Sequence, residues 1–449
     1  MKKMLKKMLP AQIIMSGFFL VIIIGSIILS LPVSSANGKA VPYIDALFTA
    51  TTSVCVTGLV TLPTVTTWSV FGQVVILILI QIGGIGVITA ATGLMLLFNK
   101  KFGIANGVLI GESFNLNSFE GIEILVKRIF KYTFIIEGIG TMLYMTVFVP
   151  EFGIKGVWIS VFTSVSAFCN AGIDIISENS LCNFVLNPVI NITTMFLIIF
   201  GGIGFIVMLD LGKLIKNRKR RHLKFLSLHS KIALSVTLFL IVSGAALFFI
   251  FEYYNPQTIG NYSLGEKAMV SLFQSVTTRT AGFATVPQEN FTDSSALISM
   301  ILMFVGGSPA GTAGGVKTVT FFVVVACALA VIKNKRSVDV FNRQLTVETI
   351  KKSMAVFTTS FCIVIVSTVM LSVLNGGDFL DVIYETVSAT GTVGLSRNFT
   401  ASLNFIGKII IIFTMFFGRI GPLSLALAFV KDKKNENVIT NPVEKISVG

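Results

Sequence analysis

The chain has 449 residues, 53% of them hydrophobic and only 12% charged, with a mean hydropathy of +0.86 and a formal net charge of +14. A soluble domain carries about twice that charged fraction, so these charges cannot cover a water-facing surface, and lipid is the solvent for much of the chain. The positive balance does not indicate a nucleic-acid partner, because Lys and Arg fall in short clusters between apolar runs, the pattern that orients membrane proteins.

The first apolar run, Ala11 to Leu31 after Met1-Lys2-Lys3, is too long for a signal peptide and fits a membrane span. Runs of about 20 residues or more predict spanning helices. They fall near 12–31, 69–98, 125–149, 188–212, 229–252, 296–332, 353–374 and 405–430. Between the members of each pair lies a shorter run, near 43–54, 156–168, 263–276 and 379–390. These are too short to cross and suit re-entrant half-helices, each ending in a polar, glycine-containing turn. Irregular backbone at membrane depth must be buried in protein or face water, so four such turns predict a shared aqueous path.

The basic residues fix the topology. Clusters at Lys2 to Lys7, Lys100 and Lys101, Lys213 to Lys224, Lys333 to Lys352, and Lys431 to Lys434 share one side only if eight runs span and the short runs do not. That side is the cytoplasm, with both termini on it. The five cysteines form no CxxC pair and there are only two histidines, which argues against a disulfide framework or a zinc site.

The short runs end in similar peptides: Val54-Cys55-Val56-Thr57-Gly58, Phe168-Cys169-Asn170-Ala171-Gly172, Thr278-Arg279-Thr280-Ala281-Gly282 and Thr390-Gly391-Thr392-Val393-Gly394. An aromatic precedes each at Phe48, Phe162, Phe273 and Tyr384, the third one residue out of phase. A second landmark follows: Gly83-Gly84-Ile85-Gly86, Gly201-Gly202-Ile203-Gly204, Gly306-Gly307, and Gly418-Arg419-Ile420-Gly421. Two landmarks in register describe one unit repeated four times, over residues 1–110, 111–225, 226–345 and 346–449. Each unit is span, half-helix, turn, span, so all four share one orientation. The expected fold is an all-α membrane protein of four parallel repeats, with eight transmembrane helices and four re-entrant pore loops around a central pore.

Backbone carbonyls in a glycine-permitted loop can replace the hydration shell of a cation without a fixed charge that would trap it. The filter candidates are therefore Val56, Thr57, Gly58, Asn170, Ala171, Gly172, Thr280, Ala281, Gly282, Thr392, Val393 and Gly394. The bland alternative is that these glycines only let helices pack closely. The sixth run is broken by Gly306, Gly307, Ser308, Pro309, Ala310, Gly311, Thr312, Ala313, Gly314 and Gly315, a stretch that cannot hold a regular helix. It predicts an intramembrane loop lining a cavity, the alternative being a kinked helix packed through small residues. Lys317 either anchors this loop or is an ordinary interfacial lysine. Arg419 lies deep in an apolar run and is expected to face the bundle interior, the alternative being snorkelling to the interface. Asn170 and Arg279 read as scaffolding of the turns, and Glu151, Asp174, Glu178, Glu289 and Asp293 as outer acidic residues.

Three peptides, Thr280-Ala281-Gly282-Phe283, Gly391-Thr392-Val393-Gly394-Leu395 and Gly418-Arg419-Ile420-Gly421-Pro422-Leu423, give the chain its resemblance to the Trk/Ktr/HKT superfamily of potassium transporters. It is most similar to the bacterial Ktr-type membrane subunit, over nearly its whole length. The resemblance implies a plasma-membrane potassium-uptake subunit, with glycine at all four filter positions going with potassium selectivity. It also implies that the sixth-span loop is a gate and that Arg419 faces the pore beside it. Further implications are a homodimer, a cytosolic ring of nucleotide-binding regulatory subunits, and sodium as a candidate co-ion. No covalently bound cofactor is expected, and K+ is the cargo. The chain has no GxxxxGK[ST] loop, so the membrane potential would supply the energy. Basic cytoplasmic segments suit either docking of the ring or contact with anionic lipid. The competing reading is a non-conducting membrane scaffold within a larger ion-transport complex. An intramembrane enzyme lacks a Ser/His, HExxH or paired-carboxylate constellation in the spans.

Overall fold

A computed structural model describes residues 9–97, 111, 122–216 and 226–421. The terminal lysine clusters, Lys100, Lys101 and most of the basic run after Lys216 lie outside them. The described chain is helical apart from a two-residue hairpin pairing Asp339–Val340 with Arg343–Gln344.

Each quarter holds an outer helix, a short pore helix and an inner helix. The outer helices are Pro10–Ser30, Ile122–Phe152, Leu228–Glu252 and Val347–Leu374. The pore helices are Tyr43–Cys55, Lys155–Cys169, Leu264–Thr277 and Phe379–Gly391. The inner helices begin at Val70, Pro188, Asp293 and Phe405, and each start is fixed by a side chain. Ser69, Asn187, Thr292 and Asn404 each accept a hydrogen bond from an otherwise orphaned amide of the first turn.

The expected spans 69–98 and 188–212 are not single straight helices. Each is bent by 99°, into Val70–Ile85 with Val87–Leu97 and Pro188–Gly202 with Phe205–Lys216. The physical reason is the last glycine of each GGIG landmark: Gly86 and Gly204 both take φ of +92°, which a side chain disfavours. The sixth run is broken as expected, into Asp293–Phe304 and Thr318–Ile332. The eighth is helical over Phe405–Ile420, and its remainder lies outside the described residues.

The quarters close into a ring in chain order. The inner helix of the first packs on the pore helix of the second, the second on the third, the third on the fourth, and the fourth on the first. Polar ties join neighbours at each seam. Trp158 Nε1 donates to Gln73 Oε1 (2.8 Å), the Leu181 amide to Ala284 O (2.9 Å), and Arg397 Nη1 to Gln288 O (3.1 Å). The last seam is closed by an ion pair, Lys408 Nζ to Asp45 Oδ1 at 2.6 Å, with the Thr61 hydroxyl donating to the same carboxylate (2.8 Å). Removing one partner of a buried pair leaves an uncompensated charge, at a cost of about 3–5 kcal/mol. Asp45→Ala is therefore expected to lower the melting temperature of the detergent-solubilised protein. Lys408→Met added to it should restore part of the loss, as read by thermal unfolding.

Candidate ion pathway

The four pore helices end at one place. Their aromatic residues Phe48, Phe162, Phe273 and Tyr384 are all fully buried. Beyond each helix the backbone turns left-handed at Val56, Asn170, Thr280 and Thr392, with φ of 55°, 58°, 69° and 51°. It does so again two residues later, at Gly58, Gly172, Gly282 and Gly394, with φ of 100°, 64°, 80° and 98°. The out-of-phase third aromatic has a local cause. In three quarters the residue before this glycine donates five residues back: Thr57 to Thr52 O (2.8 Å), Ala171 to Ser166 O (2.8 Å) and Val393 to Ser388 O (2.9 Å). In the third, Ala281 donates only four back, to Thr277 O (3.0 Å), so the turn is one residue shorter.

The four glycines form a closed circle. A Cβ on Gly58 would stand 2.5 Å from Ala171 O, one on Gly172 2.5 Å from Ala281 O, and one on Gly282 2.5 Å from Val393 O. A Cβ on Gly394 would be closer still to Thr57 O. Each of these glycines thus adjoins the carbonyl of the next turn around, and backbone oxygens surround a central axis at this level. Helix-packing glycines lie elsewhere. That role belongs to Gly83, Gly201 and Gly418, whose missing side chains let the inner helices touch Val54 O, Phe168 O and Thr390 O at the ends of the pore helices. With four helix C-termini directed at the circle, their partial negative charges favour a cation there.

Outside the circle lies a cavity of about 230 Å3, lined by the four glycines and by Asp174, Glu178 and Glu289. Glu151 and Asp293 are not among its lining residues. Asn170 holds the turns together. Its amide nitrogen donates to Ala167 O (3.2 Å) and Ile198 O (3.3 Å), and its oxygen lies 3.3 Å from the Thr280 hydroxyl of the third strand.

Inside the circle the loop between Phe304 and Thr318 comes up against the second, third and fourth quarters. Ser308 N donates to Gly202 O (2.8 Å), Thr312 N to Gly201 O (3.1 Å), Phe205 N to Ala310 O (2.8 Å), and the Thr312 hydroxyl to Phe168 O (3.0 Å). Pro309 O abuts Gly204, and Gly311 lies against Gly201 and Gly204. Gly307 O accepts from Thr318 N (3.0 Å). Gly314 touches the Thr392 hydroxyl, and Gly315, at φ of +68°, adjoins Gly391 O. The loop is therefore packed directly beneath the second and fourth strands.

Three cationic side chains hold its carbonyls. Arg419 donates to Thr312 O and also to Gly83 O in the first quarter, opposite the loop's own. Arg419 is half-buried, with its guanidinium held between these two carbonyls. Lys317 Nζ curls back onto Ala313 O (2.6 Å) within the loop. Arg279 donates to Gly306 O (3.2 Å) and to Thr237 O (3.2 Å), tying the third turn to the start of the loop. Reading the sequence placed Arg279 at its turn but not on the loop, because nothing in the local peptide signals a partner 27 residues away. Gln81 and Glu137 belong to no motif that marks them in the sequence. The Gln81 amide donates to Glu137 Oε2 (3.4 Å) and its oxygen lies 3.7 Å from Cys169 Sγ, behind the second turn.

A family model described as TrkH, cation transport protein, matches residues 4–439. The Ktr system potassium uptake protein B of Bacillus subtilis (strain 168) is 39% identical over 427 residues, which cover 95% of this chain and 94% of that protein. The potassium/sodium uptake protein NtpJ of Enterococcus hirae is 36% identical over 456 residues, covering 100% and 99%. The crystal structure of the potassium transporter TrkH from Vibrio parahaemolyticus superposes with a TM-score of 0.72 over 93% of this chain and 85% of that one, at 15% identity, a likeness of fold. Through its family model and these relatives, this multi-pass membrane protein belongs to the TrkH family of cation transport proteins, which are transporters and not enzymes.

Proposed function

We propose that the chain is the membrane subunit of a potassium-uptake system, conducting K+ through the circle of Gly58, Gly172, Gly282 and Gly394. The loop through Gly306–Gly307 and Gly314–Gly315 acts as its gate. The observation that carries this reading is the closed run of carbonyl-to-glycine contacts around one axis. A dehydrated cation needs such a ring of oxygens, supplied without a charge that would hold it. A non-conducting scaffold has no need of four left-handed turns meeting at one level.

The relatives supply the ion. Both carry potassium uptake in their names, and the second adds sodium, which makes Na+ a candidate co-ion here. The name of the first also speaks of a system, in keeping with a partner component. A homodimer with a cytosolic nucleotide-binding ring, docked on the basic segments, is the assembly we favour. The distribution of Lys and Arg supports a bacterial plasma-membrane location with both termini in the cytoplasm.

Proteoliposomes loaded with K+ test this directly. The purified chain, alone or with a regulatory ring subunit, is expected to take up rubidium down a K+-generated potential and to be blocked by external K+. Absence of flux in both preparations would refute conduction.

A further inference from the structure

On the face predicted to be cytoplasmic, a groove of about 370 Å3 runs along the helix Thr318–Ile332 that leads out of the gate loop. Phe322, Leu329, Ala330 and Val340 form its apolar walls, and Lys333 and Lys335 its rim. The lysines are brought there by the end of the helix. Asn334 turns left-handed (φ 51°) and Lys335 N bonds back to Ala330 O (2.9 Å), folding the chain over the groove. The hairpin that follows buries Val340 against this helix.

The outer face of the same helix end is bare hydrocarbon: Val331 and Ile332 are 73% and 78% exposed. At the hairpin tip Phe341 is 54% exposed and holds a φ of +47°, a conformation that costs energy for a bulky side chain. An exposed aromatic held in strain beside two lysines and an apolar trough suits the boundary between headgroups and acyl chains. Charge follows the same logic. Lys333, Lys335, Arg336 and Arg343 outnumber the one acidic group lining the groove, Asp339.

We infer that this groove binds one anionic glycerophospholipid of the inner leaflet, with an acyl chain along Phe322, Leu329 and Ala330 and the phosphate between Lys333 and Lys335. The lipid would thereby rest on the helix that begins at the end of the gate loop. The inference rests on the proposed orientation of the chain but not on its conducting ions.

Native mass spectrometry of the full chain with phosphatidylglycerol or phosphatidylcholine is the test, since it reads binding and not flux. Wild type is expected to retain a phosphatidylglycerol that phosphatidylcholine does not displace. Lys333→Gln/Lys335→Gln should weaken it at least about tenfold, the effect of two interfacial lysines. Ala330→Trp, which fills the trough and keeps the charge, should weaken it as well. The control Lys351→Gln/Lys352→Gln removes equal charge from exposed positions outside the groove and should bind as wild type does. Equal loss in the control would show diffuse attraction to the membrane. Unchanged retention in both groove variants would show that the lipid is held elsewhere on the chain. Either result overturns the inference.

Discussion

Serine in place of Gly172 is expected to lower K+/Na+ discrimination at least about tenfold, or ~1.4 kcal/mol of differential site energy. The new Cβ would stand 2.5 Å from Ala281 O and 2.7 Å from Gly282 Cα, and both are backbone atoms that cannot swing aside. The φ of +64° adds strain for any side chain. The third strand must then shift, and its carbonyl with it. An oxygen ring that matches K+ by its number and spacing loses that match first for the larger, less strongly hydrated ion. The same argument holds for Gly58, Gly282 and Gly394, because the contacts run around the whole circle. Gly38 is the control: it also has positive φ (68°), but nothing lies within 4 Å of a Cβ there. Gly38→Ser should therefore leave selectivity intact. Rubidium uptake in proteoliposomes, competed by K+ or by Na+, gives the ratio. An unchanged ratio in a folded Gly172→Ser protein would remove these glycines from the filter.

Much of this pathway is legible in the sequence because it is local. A half-helix too short to cross, an αL turn and a glycine occupy a few consecutive residues, and the fourfold recurrence separates them from chance. Even the shorter third turn appears as a one-residue offset of Phe273. What the sequence hides is of two kinds. The 99° bends at Gly86 and Gly204 sit within continuous apolar runs, and hydropathy is blind to direction. Contacts across the ring are likewise invisible, since Lys408 and Asp45 meet over 363 positions and Arg419 and Gly83 over 336. Asp45 and Lys408 look ordinary in their own peptides, and Arg419 stands out in its own without naming a partner; only the closing of the circle brings each pair together.

Removing residues 308–314, the stretch whose backbone meets Gly201, Gly202, Phe205 and Arg419, is expected to raise the rubidium flux of the isolated subunit about tenfold or more. The loop lies against the inner ends of the glycine turns and Arg419 joins it to the opposite quarter, so on the proposed pathway an ion leaving the circle meets it first. The single substitution Arg419→Ala tests how it is held. It strands Thr312 O and Gly83 O without their donor, and each unsatisfied buried carbonyl costs about 1–3 kcal/mol. That cost falls only on the arrangement seen here, so the loop's equilibrium moves toward release, by about tenfold for every 1.4 kcal/mol. In the proposed pathway the same change also removes a half-buried positive charge beside the loop, which acts in the same direction. Arg419→Lys keeps the charge but cannot reach two carbonyls in a fixed fork, and should fall between the two. Thus flux should rank Arg419→Ala above Arg419→Lys above wild type, with the K+/Na+ ratio preserved because the glycine circle is untouched. A folded loop-deleted protein with unchanged or lower flux would mean that the loop braces the filter instead of closing it.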